Sequence, residues 1–464
     1  MDSTHPFHIP PNPTYSIWDS ACDSARFTTT RCLRYLRGEL CATSTFIDPF
    51  GTPALWHEFG SVEGPGWAAN AVGGAVHLAR MALFTGNARM LEQARSIARH
   101  CIQEAFFDRQ TGLVHGYRTW DEDRYYWNYM HNPDHDQWLC IGSMAKIHLQ
   151  LLEAIALDLL SGEALAVAAQ LPITFAQWIR DKVERTEDGW IPRRSYPDGR
   201  AFPFNAWGKD EDILFNNSGD GIFVPWLFGD LTHRGMGDFS QEARALVEAF
   251  LAPGGRFGSI NHDTYDPQEN VAYSSAFRAL IRLAEWLDQP EWNQAAYDLC
   301  LEPLARFQIH EDRNGVATHG LLYMEDSWDT CYLWENAEAA WAYLEAANAK
   351  QNPVWERHGL TILRAAAKHH HGPFGFLTEG VDWNNHNGVW RELPDGSKAP
   401  IHVDGATYGD VNYTQPFLNN LHIVGPTLYY LEEMALHDSS SNGLESKFFD
   451  CDQTLIASIV RLPH

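Results

Sequence analysis

Apolar and polar positions along the chain alternate between two kinds of predicted helix. In the first kind, nearly every face carries apolar or small residues, and a loop rich in aromatic, Asn, His, Gly and acidic residues precedes the helix. In the second kind, for example over residues 353–370, apolar residues form one stripe and charged residues occupy the other faces. Six segments of the first kind are present, with entry loops that begin at Trp56, His131, Phe215, Tyr265, Glu325 and Ala406.

Six pairs of an inner apolar helix and an outer amphipathic helix predict an all-α fold, an (α/α)6 toroid of six helical hairpins. An inner helix is covered on both sides, which explains its wide apolar surface. Five outer helices directly follow their inner helices, whereas the residues after 435 have the composition of a loop. We therefore expect residues 20–40 to supply the sixth outer helix and to close the ring.

No Ser- or Gly-rich linker, charge run or low-complexity segment divides the chain. We predict a single domain over residues 1–464, with a toroid core at about 15–435 and a carboxy-terminal extension at 436–464. Two segments, 186–217 and 373–409, are too long for plain hairpin turns and contain Trp and Phe. Long loops in compact domains are usually functional, so we place both over one mouth of the toroid.

Composition and charge restrict the classes of molecule that the chain is expected to bind. Its formal net charge of −26 repels nucleic acid and anionic lipid. Aromatic residues are abundant, with 18 Trp, 17 Tyr and 24 Phe, and we expect part of this surplus to contact a ligand. These properties predict a small-molecule or oligosaccharide substrate, without a nucleic-acid or membrane partner, and they leave the oligomeric state open.

Hydropathy and cysteine usage predict a cytoplasmic protein with reduced thiols. The chain does not start with a basic segment followed by an apolar run, and no stretch approaches the roughly 20 apolar residues that span a bilayer. The eight cysteines are scattered without a CxxC spacing. This spacing favours neither a zinc site nor a disulfide framework.

The six entry loops, together with WENAEAAWAYLEAAN (334–348) and GFLTEGVDWNN (375–385), resemble segments of toroid enzymes of carbohydrate metabolism. These enzymes are glycoside hydrolases, unsaturated-glucuronyl hydrolases, toroid polysaccharide lyases and the N-acylglucosamine 2-epimerase group. The resemblance covers residues from about 15 to 435 and implies a carbohydrate-active enzyme. The chain matches no catalytic signature of one of these families, so the resemblance assigns no residue a role.

Acidic residues in the entry loops are the first candidates for catalysis, because the inner helices of a toroid all start at the same end. Hydrolysis of a glycosidic bond needs one carboxylic acid and one carboxylate on either side of the bond. Asp136 and Asp220 form our leading pair, since each directly precedes a predicted inner helix. Asp is also a favoured helix N-cap, and that structural role competes with the catalytic one.

A second hypothesis is β-elimination from a uronate, which needs a base and groups that neutralise a carboxylate. The segments NHDTYD (261–266) and IHVDGATYGD (401–410) combine His, Tyr and Asp. They provide His262, Tyr265, Tyr408 and Asp410 as catalytic candidates, with His402 close by. Loops held by Asx turns and aromatic packing are the structural alternative.

Aromatic and polar side chains near the entry loops are candidates for substrate binding, because the CH face of a sugar packs on an aromatic ring. The aromatic candidates compete with ordinary core packing, which is common for Trp. The full set is Trp56, Tyr126, Trp127, His131, His135, Trp328, Trp334, Glu335, Trp383, His386 and His402.

Other chemistry remains open at this stage. His131, His135, Asp134 and Asp136 lack the spacing of a helical zinc motif, so we predict neither a metal nor a cofactor. The same fold could instead hold a sugar epimerase or isomerase that works at a free sugar end. From other classes, it could be a terpenoid dehydratase, isomerase or cyclase, or a glycan-binding toroid without activity.

Overall fold

The computed structural model describes residues 15–36, 38–42, 62–66, 70–119, 123–127, 138–202, 218–258, 260, 267–312, 317–326, 330–371, 375–377, 379–383, 390–392, 398–400, 411–412 and 421–435. The predicted carboxy-terminal extension at 436–464 lies outside these ranges. The assignment of residues 1–464 to a single domain therefore stays a prediction.

Helices make up most of the described chain. Their bounds, in chain order, are α1 (Ile17–Phe27), α2 (Ala71–Thr85), α3 (Ala88–Gln103), α4 (Ile141–Ala156), α5 (Gly162–Lys182), α6 (Phe223–His233), α7 (Ser240–Leu251), α8 (Asn270–Trp286), α9 (Pro290–Ala295), α10 (Glu302–Leu304), α11 (Leu333–Lys350), α12 (Pro353–Ala367) and α13 (Val424–Tyr429). π-Helical turns follow α1, α9 and α13, at Thr28–Cys32, Ala296–Leu301 and Tyr430–Ala435. Two 3-10 turns, Asp220–Ile222 and Ala305–Phe307, precede α6 and follow α10.

Six of these helices form a closed inner ring. They are α2, α4, α6, α8, α11 and α13, and each contacts the next, with α13 in turn contacting α2. Most of their residues are buried, as expected for helices covered on both sides. The inner ring is therefore the wall of a barrel whose helices all begin at the same end.

The outer layer completes the predicted fold. Helices α3, α5, α7 and α12 pack against the inner helix that precedes each of them, and α9 with α10 packs against α8. Helix α1 packs against α13, so the amino-terminal helix occupies the sixth outer position. These contacts confirm the (α/α)6 toroid and its closure by the amino-terminal segment.

The closing helix is shorter than predicted from the sequence. Helix α1 and its π-turn end at Cys32, and the chain continues as a hairpin of strands β1 (Leu33–Leu36) and β2 (Glu39–Ala42). Gly38 lies in the turn with φ 88°, a backbone conformation that favours glycine. This turn between two short strands ends the helical periodicity earlier than we expected.

The remaining strands are β3 (Val62–Glu63), β4 (Tyr117–Thr119), β5 (Tyr125–Tyr126), β6 (Thr330–Tyr332), β7 (His370–His371), β8 (Phe376–Leu377), β9 (Gly380–Asp382), β10 (Trp390–Glu392), β11 (Lys398–Pro400) and β12 (Val411–Asn412). All pairings are antiparallel, in the orders β3-β4-β5, β12-β9-β6, β7-β8 and β10-β11.

Described parts of both long segments lie where inner helices begin. Strand β9, from the second long segment, pairs with β6 directly before α11. In the first long segment, Ser195 forms a bridge with Leu139, just before α4. These positions agree with the predicted placement of the two segments at one mouth of the barrel.

Local capping sets the hairpin between α2 and α3. The Asn70 side chain accepts a hydrogen bond from the Gly73 amide at 2.9 Å and starts α2. Gly86 ends the helix with φ 69°, and the Asn87 side chain accepts from the Met90 amide to start α3. The sequence Gly-Asn therefore encodes the reversal between an inner and an outer helix.

Two further observations bear on the predictions from composition. Within the described ranges, no helix is long and apolar enough to cross a membrane. The described cysteines, Cys22, Cys32, Cys41, Cys101, Cys140, Cys300 and Cys331, are free.

Two buried histidines are held as neutral rings within the helical layers. His148 on α4 donates from Nε2 to the Gly112 carbonyl at 2.8 Å and stacks on Phe175. His369 donates from Nε2 to the Ala317 carbonyl at 2.8 Å. Burial lowers the pKa of each imidazole to about 4, against the weaker opposing effect of the backbone hydrogen bond.

We expect acid to destabilise the fold through these two rings. Their folded pKa lies below the unfolded value of about 6.5, so the unfolded chain binds more protons, and stability falls as the pH drops from about 6.5 to 4, by about 3 kcal/mol per ring. Urea denaturation across this pH range measures the slope. The His148→Gln/His369→Gln variant keeps an amide donor at each site, and an undiminished slope in that variant would contradict the assignment.

Candidate active site

Polar side chains from five inner-ring segments meet inside the barrel. We call this set the barrel cluster: His77 of α2, Lys146 of α4, Arg278 of α8, Trp334 and Glu338 of α11, and His422 just before α13. Lys146 and Glu338 each lie five residues after the first residue of their helix, which corresponds to a depth of about 8 Å. The cluster therefore lies below the end at which the inner helices begin.

The carboxylate of Glu338 joins two other members of the cluster. Its Oε1 lies 2.9 Å from Nδ1 of His422, and its Oε2 accepts a hydrogen bond from Nη1 of Arg278 at 2.6 Å. Burial raises the pKa of Glu338, but the His422 hydrogen bond and the charges of Arg278 and Lys146 outweigh burial and lower the pKa well below its usual range. Glu338 is therefore ionised and accepts both hydrogen bonds.

An ionised Glu338 determines the tautomer of His422. Since the carboxylate can only accept, Nδ1 of His422 carries the hydrogen, and Nε2 of the neutral ring is a free base. Burial, together with the charges of Lys146 and Arg278, lowers the pKa of His422 more than the Glu338 carboxylate raises it. Within the described chain, no group forms a hydrogen bond with this Nε2.

A second imidazole lies beside the first. The ring centres of His77 and His422 are 5.9 Å apart, and His77 is 7% exposed. Burial, together with the proximity of His422 and Arg80, holds the pKa of His77 well below its usual value, so this ring is also neutral. Its Nδ1 is buried without a hydrogen-bond partner in the described structure.

Space for His77 depends on a glycine of α13. A Cβ atom at Gly425 would lie 2.9 Å from Cε1 of His77 and 2.3 Å from Cζ3 of Trp341. The second distance is too short for any side chain, so glycine is required where α13 crosses these two rings.

A second set of contacts, with an aromatic ring and a carboxylate, orients Arg278. Its guanidinium lies over the Trp341 ring at 3.9 Å, and its Nε and Nη2 are each 3.4 Å from the Glu345 carboxylate. Glu345 also accepts from Arg282 at 2.7 Å. These contacts fix the orientation in which Arg278 reaches Glu338.

Trp334 is the predicted substrate-binding residue that belongs to this cluster. Its ring centre lies 5.4 Å from that of His422, and the ring is only partly buried. The Lys146 ammonium lies 5.8 Å from the same ring. An aromatic face beside a free imidazole base is suited to hold a sugar ring.

Asp220, one half of the predicted catalytic pair, lies in a separate buried network. Its Oδ2 accepts from Nη1 of Arg193 at 2.7 Å and from the Ser143 amide at 3.1 Å, and its Oδ1 accepts from Ser218 at 2.5 Å. The carboxylate thus caps the neighbouring helix α4, rather than the helix that follows Asp220. Gly142 permits this approach, because a Cβ there would lie 2.1 Å from the Asp220 carbonyl oxygen.

The other described candidates for substrate binding lie in packed positions. Glu335 is fully buried and accepts from the Asn270 side chain at 2.8 Å. Tyr126 is buried beneath Arg124, and Trp127 stacks on His115 with ring centres 3.7 Å apart. Trp383 stacks on Tyr323 at 4.3 Å. Their predicted contacts with substrate stay predictions.

The remaining predicted site residues lie outside the described residues. They are the catalytic candidates Asp136, His262, Tyr265, Tyr408 and Asp410, and the binding candidates Trp56, His131, His135, Trp328, His386 and His402.

Sequence reasoning missed five members of the barrel cluster, namely His77, Lys146, Arg278, Glu338 and His422. A usable signal was present, because charged residues recur at helical spacing on inner helices that are otherwise apolar. Arg278 and Arg282 are four residues apart on α8, and Glu338 and Glu345 are seven apart on α11. These charged positions lie on helices, whereas the acidic catalytic candidates lie in loops predicted from the sequence.

Cys41, Glu63 and His100 form a buried group whose potential ligand atoms lie within 4.8 Å of one another, as judged over the described residues. The Arg118 guanidinium donates to Glu63, whose other oxygen lies 2.9 Å from Nε2 of His100. Burial raises the pKa of the Cys41 thiol, which keeps it protonated. Arg118 thus supplies the positive charge opposite Glu63, and the group ties β3 and β4 to α3.

Cys140 is a buried thiol at the start of α4. Burial raises its pKa to about 12, so little thiolate forms near neutral pH. Cys331 is also fully buried.

The chain resembles solved toroid enzymes over most of its length. A cellobiose 2-epimerase from Bacillus thermoamylovorans B4167 superposes with a TM-score of 0.58 and 12% identity, covering 89% of this chain and 98% of that one. A D-mannose isomerase gives 0.56 and 11%, covering 89% and 96%. A family 76 glycoside hydrolase from a bovine Bacteroides thetaiotaomicron strain gives 0.51 and 12%, covering 89% and 77%.

These similarities establish the (α/α)6 toroid fold, which occurs in carbohydrate-active enzymes of several reaction types. No protein-family model matches the sequence, and no curated protein matches it.

We expect Asp220→Asn to destabilise the protein, because it leaves the buried Arg193 guanidinium without its carboxylate. Breaking a buried ion pair from one side lowers the free energy of unfolding by about 3 kcal/mol. Urea denaturation followed by circular dichroism measures this change. Asp198→Asn is the matched control, since Asp198 pairs with Arg200 on the surface, and its midpoint should not change. Equal midpoints for the two variants would contradict the structural role of Asp220.

Proposed function

We propose that the chain catalyses proton transfer at the free, open-chain end of a sugar, as an epimerase or an aldose–ketose isomerase. The observation that carries this proposal is the pair of neutral imidazoles in the barrel, with ring centres 5.9 Å apart. One of them, His422, is oriented by an ionised Glu338 so that Nε2 can accept a proton.

The chemistry requires only groups of this kind. In an open-chain aldose, the C1 carbonyl acidifies the hydrogen on C2. Nε2 of His422 would take that proton, and the electron pair of the C–H bond would form an enediolate with O1. Glu338 would stabilise the imidazolium that results, because it accepts the Nδ1 hydrogen bond.

The second imidazole, that of His77, would donate a proton to the enediolate. Delivery to C2 from the opposite face, by His77 after it takes a proton from the solvent, gives the C2 epimer, and His422 then returns its proton to the solvent. Delivery to C1, together with transfer of the O2 hydrogen to O1, gives the ketose instead. Two bases on either side of one carbon are the simplest arrangement for epimerisation, and His77 and His422 project from different inner-ring segments.

Hydrolysis by paired carboxylates, predicted from the sequence, is less well supported by the described residues. Both oxygens of Glu338 are engaged, and the lowered pKa of this group makes it a poor proton donor. Both oxygens of Asp220 are also engaged. The hydrolytic prediction therefore depends on Asp136, outside the described residues, and stays a prediction.

The fold is compatible with the proposal. Two toroids that the chain resembles are described as a cellobiose 2-epimerase and a D-mannose isomerase. Trp334, next to His422, offers an aromatic face for the sugar. The similarity supports the reaction class only through the shared architecture.

Deuterium exchange provides the direct test. We expect incubation with free aldoses or reducing disaccharides in D2O to replace the C2 hydrogen and to produce an epimer or a ketose, observed by proton NMR. His422→Gln should lower the rate by about 10²–10⁴-fold, because the base is lost. His233→Gln is the matched control, since His233 stacks on Trp286 at the outer end of α6.

Release of free sugar from a glycoside without C2 exchange would contradict the proposal and favour hydrolysis. Wild-type exchange that persists in His422→Gln would retain the reaction class but remove His422 from its role.

The pH profile provides an independent prediction. His422 must be neutral to act as a base, and burial lowers its pKa. We therefore expect kcat/KM to stay at its plateau as the pH falls to about 6.5 and to decline only below this value. In Glu338→Gln, loss of the carboxylate that raises the His422 pKa should move the decline to still lower pH. A half-maximal rate at or above about pH 6.5 in the wild type would contradict the assignment.

A further inference from the structure

Lys146 carries the least compensated charge in the barrel cluster. Its Nζ lies 5.4 Å from the centre of the Phe223 ring and 5.8 Å from that of Trp334. Over the described part of the chain, no carboxylate forms an ion pair with this ammonium, and no acceptor forms a hydrogen bond with it.

The carboxylates that act on Lys146 from a distance are engaged elsewhere. Glu338 accepts from Arg278 and His422. Glu269 is fully buried and accepts from the Ile260 amide at 2.7 Å. Neither carboxylate contacts the ammonium, so the charge of Lys146 stays available to a further anion.

Unlike Lys146, three arginines of the same barrel wall each pair with a carboxylate. Arg80 pairs with Glu153, Arg278 with Glu338 at 2.6 Å, and Arg282 with Glu345 at 2.7 Å. A cation removed from water is costly unless a counter-charge accompanies it. Burial accordingly lowers the pKa of Lys146, which shows that this cost is present at its ammonium.

The Lys146 side chain lies beside the groups that the proposed reaction uses. Lys146 and Trp334 are only partly buried, although both project from inner helices. Lys146 lies at the same helical depth as Glu338, and Trp334 contacts both the ammonium and the His422 ring. A sugar placed on Trp334 would therefore present its substituents to Lys146.

We propose that Lys146 binds an oxyanion carried by the sugar, a carboxylate or a phosphate ester, so that the substrate is an anionic sugar. The assignment rests on the proposed function in one respect, namely that the barrel cluster is the sugar site. A lysine ammonium is a compact point charge suited to such groups, and the two flanking rings exclude water from the contact. In a chain with a net charge of −26, this local charge would select the anion after it enters the barrel.

Binding measurements test the assignment without requiring turnover. Isothermal titration calorimetry at low ionic strength would compare neutral, 6-carboxylate and 6-phosphate forms of glucose and of mannose, with inorganic phosphate as the free anion. We expect one anionic form to bind at least about 10-fold tighter than its neutral parent. The carboxylate and phosphate arms distinguish the two sources of the oxyanion.

Variants assign the preference to one residue. Lys146→Met should remove the preference, so that the anionic form binds no tighter than its neutral parent, whereas Lys146→Arg should retain the preference. Lys350→Met is the matched control, because Lys350 also lies over an aromatic ring, that of Tyr297 at 5.0 Å, but at the far end of α11. Circular dichroism would confirm folding, and Lys146→Gln substitutes for the methionine variant if that chain does not fold.

Equal affinities for neutral and anionic sugars in the wild type would overturn the assignment, as would a preference that survives in Lys146→Met. A lower exchange rate on neutral sugars in Lys146→Met, without a change in anion affinity, would also overturn it and place Lys146 at the reacting oxygens. Anion preference without any C2 exchange would instead contradict the proposed function alone.

Discussion

The interior of the barrel depends on the ionised carboxylate of Glu338. Burial raises the pKa of this group, and the carboxylate stays ionised because His422 and Arg278 donate to its two oxygens and Lys146 adds positive charge nearby. The dependence also runs in the other direction, since the carboxylate fixes the tautomer of His422 and gives Arg278 a counter-charge. One side chain therefore couples α8, α11 and the segment before α13, three parts of the ring that are distant in sequence.

Below this carboxylate, a second layer of charges supports the first. Glu345 accepts from Arg278 and Arg282, and Arg278 lies flat on Trp341. Buried ion pairs add little net stability compared with apolar packing, but they impose one geometry on the groups they join. The lower layer thus orients Arg278, because it determines where the guanidinium meets Glu338. His77 is positioned by shape instead, in the space that Gly425 leaves open.

The fold could be predicted from the sequence because its signals are local. Helical periodicity is visible within one segment, and the Gly86-Asn87 turn marks the end of one helix and the start of the next. Counting the outer helices was enough to predict that α1 closes the ring. The site could not be predicted in the same way. Charged positions on a helix normally indicate a solvent-facing side, and only the closed ring shows that Glu338 and Lys146 face inward. The contact between Glu338 and His422 also joins residues far apart along the chain, and no local spacing predicts it.

The packing of α1 against α13 has a consequence for the order of events in folding. Helix α13 completes the inner ring, and its outer cover comes from the opposite end of the sequence. Contacts of such large sequence separation form late, because the loss of chain entropy precedes their stabilisation. His422 lies directly before α13, so a chain emerging from the ribosome can build most of the barrel wall before the proposed base is in place. The proposed activity would then arise in the final, ring-closing step of folding.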